Sequence, residues 1–185
     1  MKIRRVKLSD IAELTVGFVG NMAKQYKDEG VKFLRSLNIK PFSIVEDDLK
    51  YISREFNESL RKSILHENDL IIVRTGIPGT CCVVSKDYDG CNCADVVLVR
   101  PNLQVVNPHY LAAYINVWGK KQVEYNKVGA IQKHFNVKSA EEMLIDLPDY
   151  AEQKSIALTL GIIDKKIKNN NRINDYLAYQ SSMVA

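Results

Sequence analysis

The chain has 185 residues, 46% of them hydrophobic and 26% charged, with a formal net charge of +4. That length supports one hydrophobic core plus an appended element, and the composition excludes disordered, repetitive and fibrous classes. No apolar run approaches the roughly 18 residues that a membrane span needs, and no apolar signal core follows the basic start Met1–Arg5, so the expected setting is cytoplasmic with no membrane partner.

In chain order, Ser9 to Leu14 reads as a short capped helix, and Val16 to Gly30 as a long polar, glycine-punctuated loop. "VKFLRSLNIKPFSIVED" reads as extended structure interrupted at Asn38 and Pro41. "DDLKYISREFNESLRKSIL" joins a strand-like patch to a helical one. The middle is β: "DLIIVRT" ends at a Gly76–Gly79 turn, "TCCVVS" follows, and a turn at Asp87–Gly90 leads to "CADVVLVRP". These runs predict an antiparallel sheet with both faces partly covered.

Asn107-Pro108 opens a predicted helix that Gly119 should close, with Leu111, Tyr114, Ile115 and Trp118 on one face. A polar loop, "GAIQKHFNVKS", and a short strand ending at Pro148 come next. Asp149 and Glu152 form an acidic capping box for a last helix from about 149 to 182, roughly 50 Å long. Alternate steps of four and three residues pick out Ile156, Leu160, Ile163, Ile167, Asn170, Asn174 and Leu177, continuing to Ser181 and Val184. Such a seam predicts a second helix beside it, with the asparagines fixing register.

Charge is unevenly placed. Residues 118–138 carry Lys120, Lys121, Lys127, Lys133 and Lys138 against Glu124 alone, whereas 141–152 hold five acids and no base. The basic stretch suits phosphates and base edges, or else forms a solvated face. Adjacent Cys81 and Cys82 should point to opposite faces of a strand. With only Cys91 and Cys93 sharing a face, a zinc site is not expected, and buried reduced thiols are. His66, His109 and His134 share no ligand spacing, and no phosphate loop or nucleophile motif occurs. Pro148-Asp149 with Glu152-x-Lys154 superficially matches a PD…ExK nuclease pattern, but its acids stand one turn apart at a helix start and read as caps. The chain is therefore expected to need no cofactor and to hold no metal. Residues alone give an α+β domain with a projecting helix and a nucleic-acid face.

The succession "FLRSLNI", "DLIIVRTGIPGTCCVV", "CADVVLVRP", "NPHYLAAYIN" and "GAIQKHFNVKSAEEMLIDLPDYAEQKSIALTLGIIDKKI" resembles the specificity (S) subunit of type I restriction–modification systems. The match runs over nearly the whole chain. It departs at Asn68-Asp69, where the family pattern has Gly-Asp, and at Asp149-Tyr150, where it has Pro-Leu. The resemblance implies a mixed, largely antiparallel β-rich target recognition domain over 1–148, followed by a long projecting helix over 149–185. It implies a non-catalytic, sequence-specific binder of double-stranded DNA that directs methylation and cleavage to a bipartite target. It also implies docking of methyltransferase (M) subunits, and through them the restriction (R) subunit. Full-length relatives hold two such units in tandem, so a single unit is expected to form a homodimer or to pair with a second S half. An assembly or decoy half-subunit that binds M without reading DNA is the alternative, and a standalone nuclease rests only on the cap spacing. On side-chain chemistry, the expected DNA contacts are Lys32, Arg35, Asn38, Arg74, Thr75, Lys127, Gln132, Lys133 and His134.

Overall fold

The β-branched runs in the middle of the chain build the centre of the molecule. The computed structural model describes residues 3–125 and 135–184. Its strands in chain order are β1 (Arg4–Lys7), β2 (Ala12–Val16), β3 (Tyr26–Lys27), β4 (Val31–Leu34), β5 (Ile39–Lys40), β6 (Ser43–Ile44), β7 (Lys50–Ile52), β8 (Leu70–Val73), β9 (Cys81–Val83), β10 (Asn92–Cys93), β11 (Val96–Pro101) and β12 (Leu144–Leu147). The helices are α1 (Arg54–Ser59), α2 (Pro108–Tyr114), α3 (Lys120–Tyr125), α4 (Val137–Glu141) and α5 (Tyr150–Val184).

The main sheet is antiparallel in the order β2-β11-β8-β9. Because side chains alternate across a strand, Leu70 and Ile72 enter one core while Ile71 and Val73 enter the other. Val97 and Val99 divide from Val96 and Leu98 in the same way. Cys81 and Cys82 fall on opposite sides, each fully buried. Burying a large aliphatic side chain is worth about 1.5–3 kcal/mol, so covering this sheet on both faces supplies much of the stability. A second sheet, β10-β4-β7-β3, has one parallel pair, β10 with β4. Two small pairs complete the β structure, β5 with β6 and β1 with β12. The architecture is the mixed, largely antiparallel α+β arrangement with a long C-terminal helix.

Three local expectations are corrected. Ser9–Leu14 is not a helix: Leu8–Asp10 makes one 3-10 turn, closed by Asp10 Oδ2 accepting from Lys7 N at 2.9 Å. Ala12–Val16 then pairs with β11 as a strand, tertiary pairing overriding a weak local cap. Gly119 does not end the 108-onward helix. Asn107 Oδ1 caps it as expected, accepting from His109 N and Tyr110 N, but a π turn over Ile115–Gly119 carries it into α3. The extra residue in that turn rotates Trp118 off the buried Leu111–Ile115 face and leaves it exposed. Finally, part of the expected 129–139 loop is helical, with Asn136 Oδ1 capping α4 through Ser139 N at 3.0 Å.

The N-terminal strand and the start of α5 are tied together. β1 pairs with β12 in the register Arg4↔Leu147 to Lys7↔Leu144, and Arg5 grips Asp146 with Nε at 2.6 Å and Nη2 at 3.0 Å. Asp149 Oδ1 accepts from Glu152 N at 2.9 Å and so starts α5. Gln153, 1% exposed, then fixes the helix to the domain. Its Oε1 accepts from Asn107 N at 2.8 Å, and its Nε2 donates to Pro148 O at 3.0 Å and Val105 O at 3.2 Å. Ile156 and Ala157 pack on the same core, and from Leu158 to Tyr179 the large apolar side chains are exposed.

Candidate nucleic-acid interface

A groove of about 820 Å³ runs between the segment after β4, the turn after β8 and the loop before β3. Among the described residues that line it, the cations are Arg35, Lys40 and Lys120, and the one carboxylate is Asp95. Each wall has a local cause. The β8–β9 turn is held by Val73 N donating to Thr80 O at 2.8 Å and Gly79 N to Val73 O at 3.0 Å. Gly76 and Gly79 take the positive φ values, 79° and 87°, that this turn requires. A side chain at Gly79 would also meet Lys120 Cα at 3.3 Å, so the glycine lets the turn lie directly against the helix that carries Lys120.

The opposite wall hangs on Asn38, which is fully buried. Its Oδ1 accepts from Arg35 N at 3.1 Å, while Nδ2 donates to Val45 O and Asp47 O, each at 3.0 Å. This corrects the expectation for Asn38: its amide is committed internally and has nothing to offer a base edge. It shapes the loop that presents Arg35 and Lys40.

Arg35 sits under Asp48, with Nη2 at 2.9 Å from Oδ2 and bonded also to the Asp48 carbonyl, and it lies over the Tyr26 ring. Lys32 is outside the groove, paired with Glu46 at 2.5 Å over the Tyr88 ring. That hydrogen bond pushes the Lys32 ammonium up and the Glu46 carboxyl down from their ordinary ranges. Arg74 turns inward from the end of β8, its Nε donating to Phe135 O at 3.3 Å and its Nη1 standing 3.3 Å from Asp95 Oδ1. That separation makes an ion pair without hydrogen-bond alignment, and among the described residues Nη1 has no acceptor. Thr75 donates its hydroxyl to Asp95 Oδ2 at 2.8 Å. Arg35 and Thr75 thus meet at the groove. Lys127, Gln132, Lys133 and His134 lie outside the described residues.

Sequence reasoning missed Lys40, Asp95 and Ile77, and named Lys120 only as part of a basic stretch. An acid at the head of the Val-rich β11 run was the available sign for Asp95. The two departures from the family pattern also have causes. Asn68 holds φ 73°, a value glycine adopts freely and asparagine tolerates, and Asp149 serves as the helix cap. Among the described residues no group of three or more metal-ligating side chains comes together, and no helix is long and apolar enough to cross a membrane.

The ion pairs behind the groove predict a pH response. Arg35, then Lys50, hold the Asp48 carboxyl down to about 2 from its ordinary 3.8. A carboxyl lowered in the folded state stabilises above its unfolded value and loses that contribution as pH falls through the folded one. The unfolding temperature should therefore drop between about pH 4 and pH 2, and Asp48→Asn should make the drop shallower. Equal slopes in the two proteins by circular dichroism would contradict it.

The family model for the type I restriction modification DNA specificity domain matches residues 2–178. The chain belongs to that family. The type I restriction enzyme EcoBI specificity subunit of Escherichia coli is 23% identical over 130 residues, covering 69% of this chain and 27% of that protein. Among solved structures, a chain from work on complex assembly and conformational transition of the type I R-M system superposes with TM-score 0.68 at 17% identity, over 92% of this chain and 40% of the other. The HsdS subunit of Thermoanaerobacter tengcongensis gives 0.63 at 16% identity, over 90% of this chain and 38% of that one. The type I S subunit of M. genitalium gives 0.63 at 9%, over 90% and 40%. These likenesses establish the fold of a specificity domain, and the chain spans well under half the length of each of these relatives.

Proposed function

We propose that this specificity domain reads one half of a bipartite duplex DNA target with residues 1–148 and sets the spacing to the other half with the helix of 149–185. The groove carries this reading: Arg35, Lys40 and Lys120 converge beside the rigid Thr75–Gly79 turn, giving phosphate-binding cations next to base-reading tips. Arg74 supports the turn from behind, and Lys32, Lys127, Gln132, Lys133 and His134 are proposed as further DNA contacts.

The helix would pair through Leu160, Ile163, Ile167, Asn170, Asn174 and Leu177 with a second copy or a second S half. The exposure of Ile163 at 50% and Ile167 at 53% supports this. Ile156 begins the seam, but its packing on the domain core gives it an anchoring part instead. Leu158 and Tyr176, also exposed, lie on the other side of the helix from Ile163 and Ile167, leaving a second apolar face for a methyltransferase subunit. On this reading the chain supplies no catalytic group or cofactor: M subunits modify the DNA, and the R subunit reaches it through them. An assembly half-subunit that binds M without reading DNA is the competing reading, and the cationic groove argues against it.

Selection from a random duplex pool with the full chain should return a consensus whose binding weakens steeply with salt. Tight binding with no consensus would favour the assembly reading.

A further inference from the structure

Asp95 is out of place in a groove that only binds phosphate. It is the single acid among the described lining residues, which include Arg35, Lys40 and Lys120, and a carboxylate there repels a polyanion. Yet it is firmly built in. Its backbone holds φ 53°, in the left-handed region that a non-glycine residue seldom occupies without surrounding support. Three separate segments fasten it. Its N–H donates to Phe18 O at 3.2 Å, its carbonyl accepts from Ser36 Oγ at 3.0 Å, and its carboxylate accepts from Thr75 Oγ1 at 2.8 Å beside Arg74. Even so, its side chain is 49% exposed, so lone pairs remain free toward the groove.

We propose that Asp95 is a specificity-determining residue that accepts a hydrogen bond from the exocyclic N4 amine of a cytosine in the target, with Thr75 and Arg74 as positioning residues. This rests on the DNA-reading function above. In the major groove only cytosine N4 and adenine N6 donate. Adenine sets its N7 acceptor beside the donor on the same edge, which an amide side chain matches and a carboxylate does not. Cytosine offers the donor without that neighbour, and carboxylates pair with it. The acid therefore rejects non-donor bases and discourages binding away from the target, a repulsive contribution to specificity.

The test compares the wild-type chain with Asp95→Asn and Asp95→Ala on the duplex that the wild type selects from a random pool and on an unselected duplex. Asparagine tolerates the left-handed backbone and can still accept from Thr75, so it guards against misfolding. Both variants should bind the selected duplex roughly 10-fold or more weakly. Both should bind unselected duplex as well as, or more tightly than, wild type. Repeated selection should lose a cytosine requirement at one position. Equal weakening on both duplexes would make Asp95 a structural tie and overturn the proposal. So would an unchanged consensus, or a shift at a position that is not cytosine. A wild type that selects no consensus at all would instead overturn the DNA-reading function itself, and this assignment with it.

Discussion

Gln153→Leu should destabilise the fold by about 3 kcal/mol, although leucine nearly matches the space and remains helix-compatible. Gln153 is 1% exposed and saturates three backbone groups, Val105 O and Asn107 N from the segment before α2 and Pro148 O from the end of β12. A buried backbone group left without its partner costs about 1–3 kcal/mol, and partial hydration would recover some of the total. For a chain of this size that corresponds to a loss of roughly 5–10 °C in unfolding temperature. The consequence reaches function, because this amide fixes the direction in which α5 leaves the domain. The variant should therefore also blur the spacer length accepted between half-sites. A loss under about 1 kcal/mol in urea unfolding would show that the joint is held by Ile156 and Ala157 packing instead.

Ile163→Asp with Ile167→Asp should convert a two-chain particle into single chains while leaving the domain's own unfolding unchanged. Both positions are half-exposed and make no contact with the domain core. Covering the exposed half of an isoleucine is worth about 1 kcal/mol, and a two-fold pairing would cover four of them. Four carboxylates at that seam lose this gain and add the cost of burying charge, so association should weaken by far more than 100-fold. Ile156→Asp is the informative contrast. That side chain packs on the domain core, so its replacement should lower stability first. A mass measured by light scattering that stays at two chains for the Ile163/Ile167 variant would contradict the pairing.

What the sequence made legible follows from how local each signal is. The Val-rich runs, the Asn107-Pro108 helix start and the Asp149 cap are written in adjacent residues, and each forms as expected. Cys81 and Cys82 separate across the sheet for the same reason, period-two alternation. Ser9–Leu14 and Gly119 misled because their local signals lost to distant ones. The short capped helix was overridden by β2 pairing with β11, and the Gly119 stop by a π turn that lies against Met143. The groove was only half readable. Arg35 and Thr75 stood out as cations and donors beside turns, but Asp95, which lines the groove with them, is fastened by Ser36 and Thr75, 59 and 20 positions away. Asn38 shows the converse: a polar residue in a loop reads as a contact until three backbone partners are seen to hold it inside.

On the proposed function, one recognition unit, paired through its helix, reads a two-part site at a fixed spacing. Base-resolution methylome sequencing of a host carrying this chain and a type I methyltransferase subunit tests it most directly. Modified bases should fall in pairs on opposite strands, at one fixed separation, within an inverted repeat of a single half-site. Methylation at isolated half-sites, at variable separations, or nowhere above the level without this chain would contradict it.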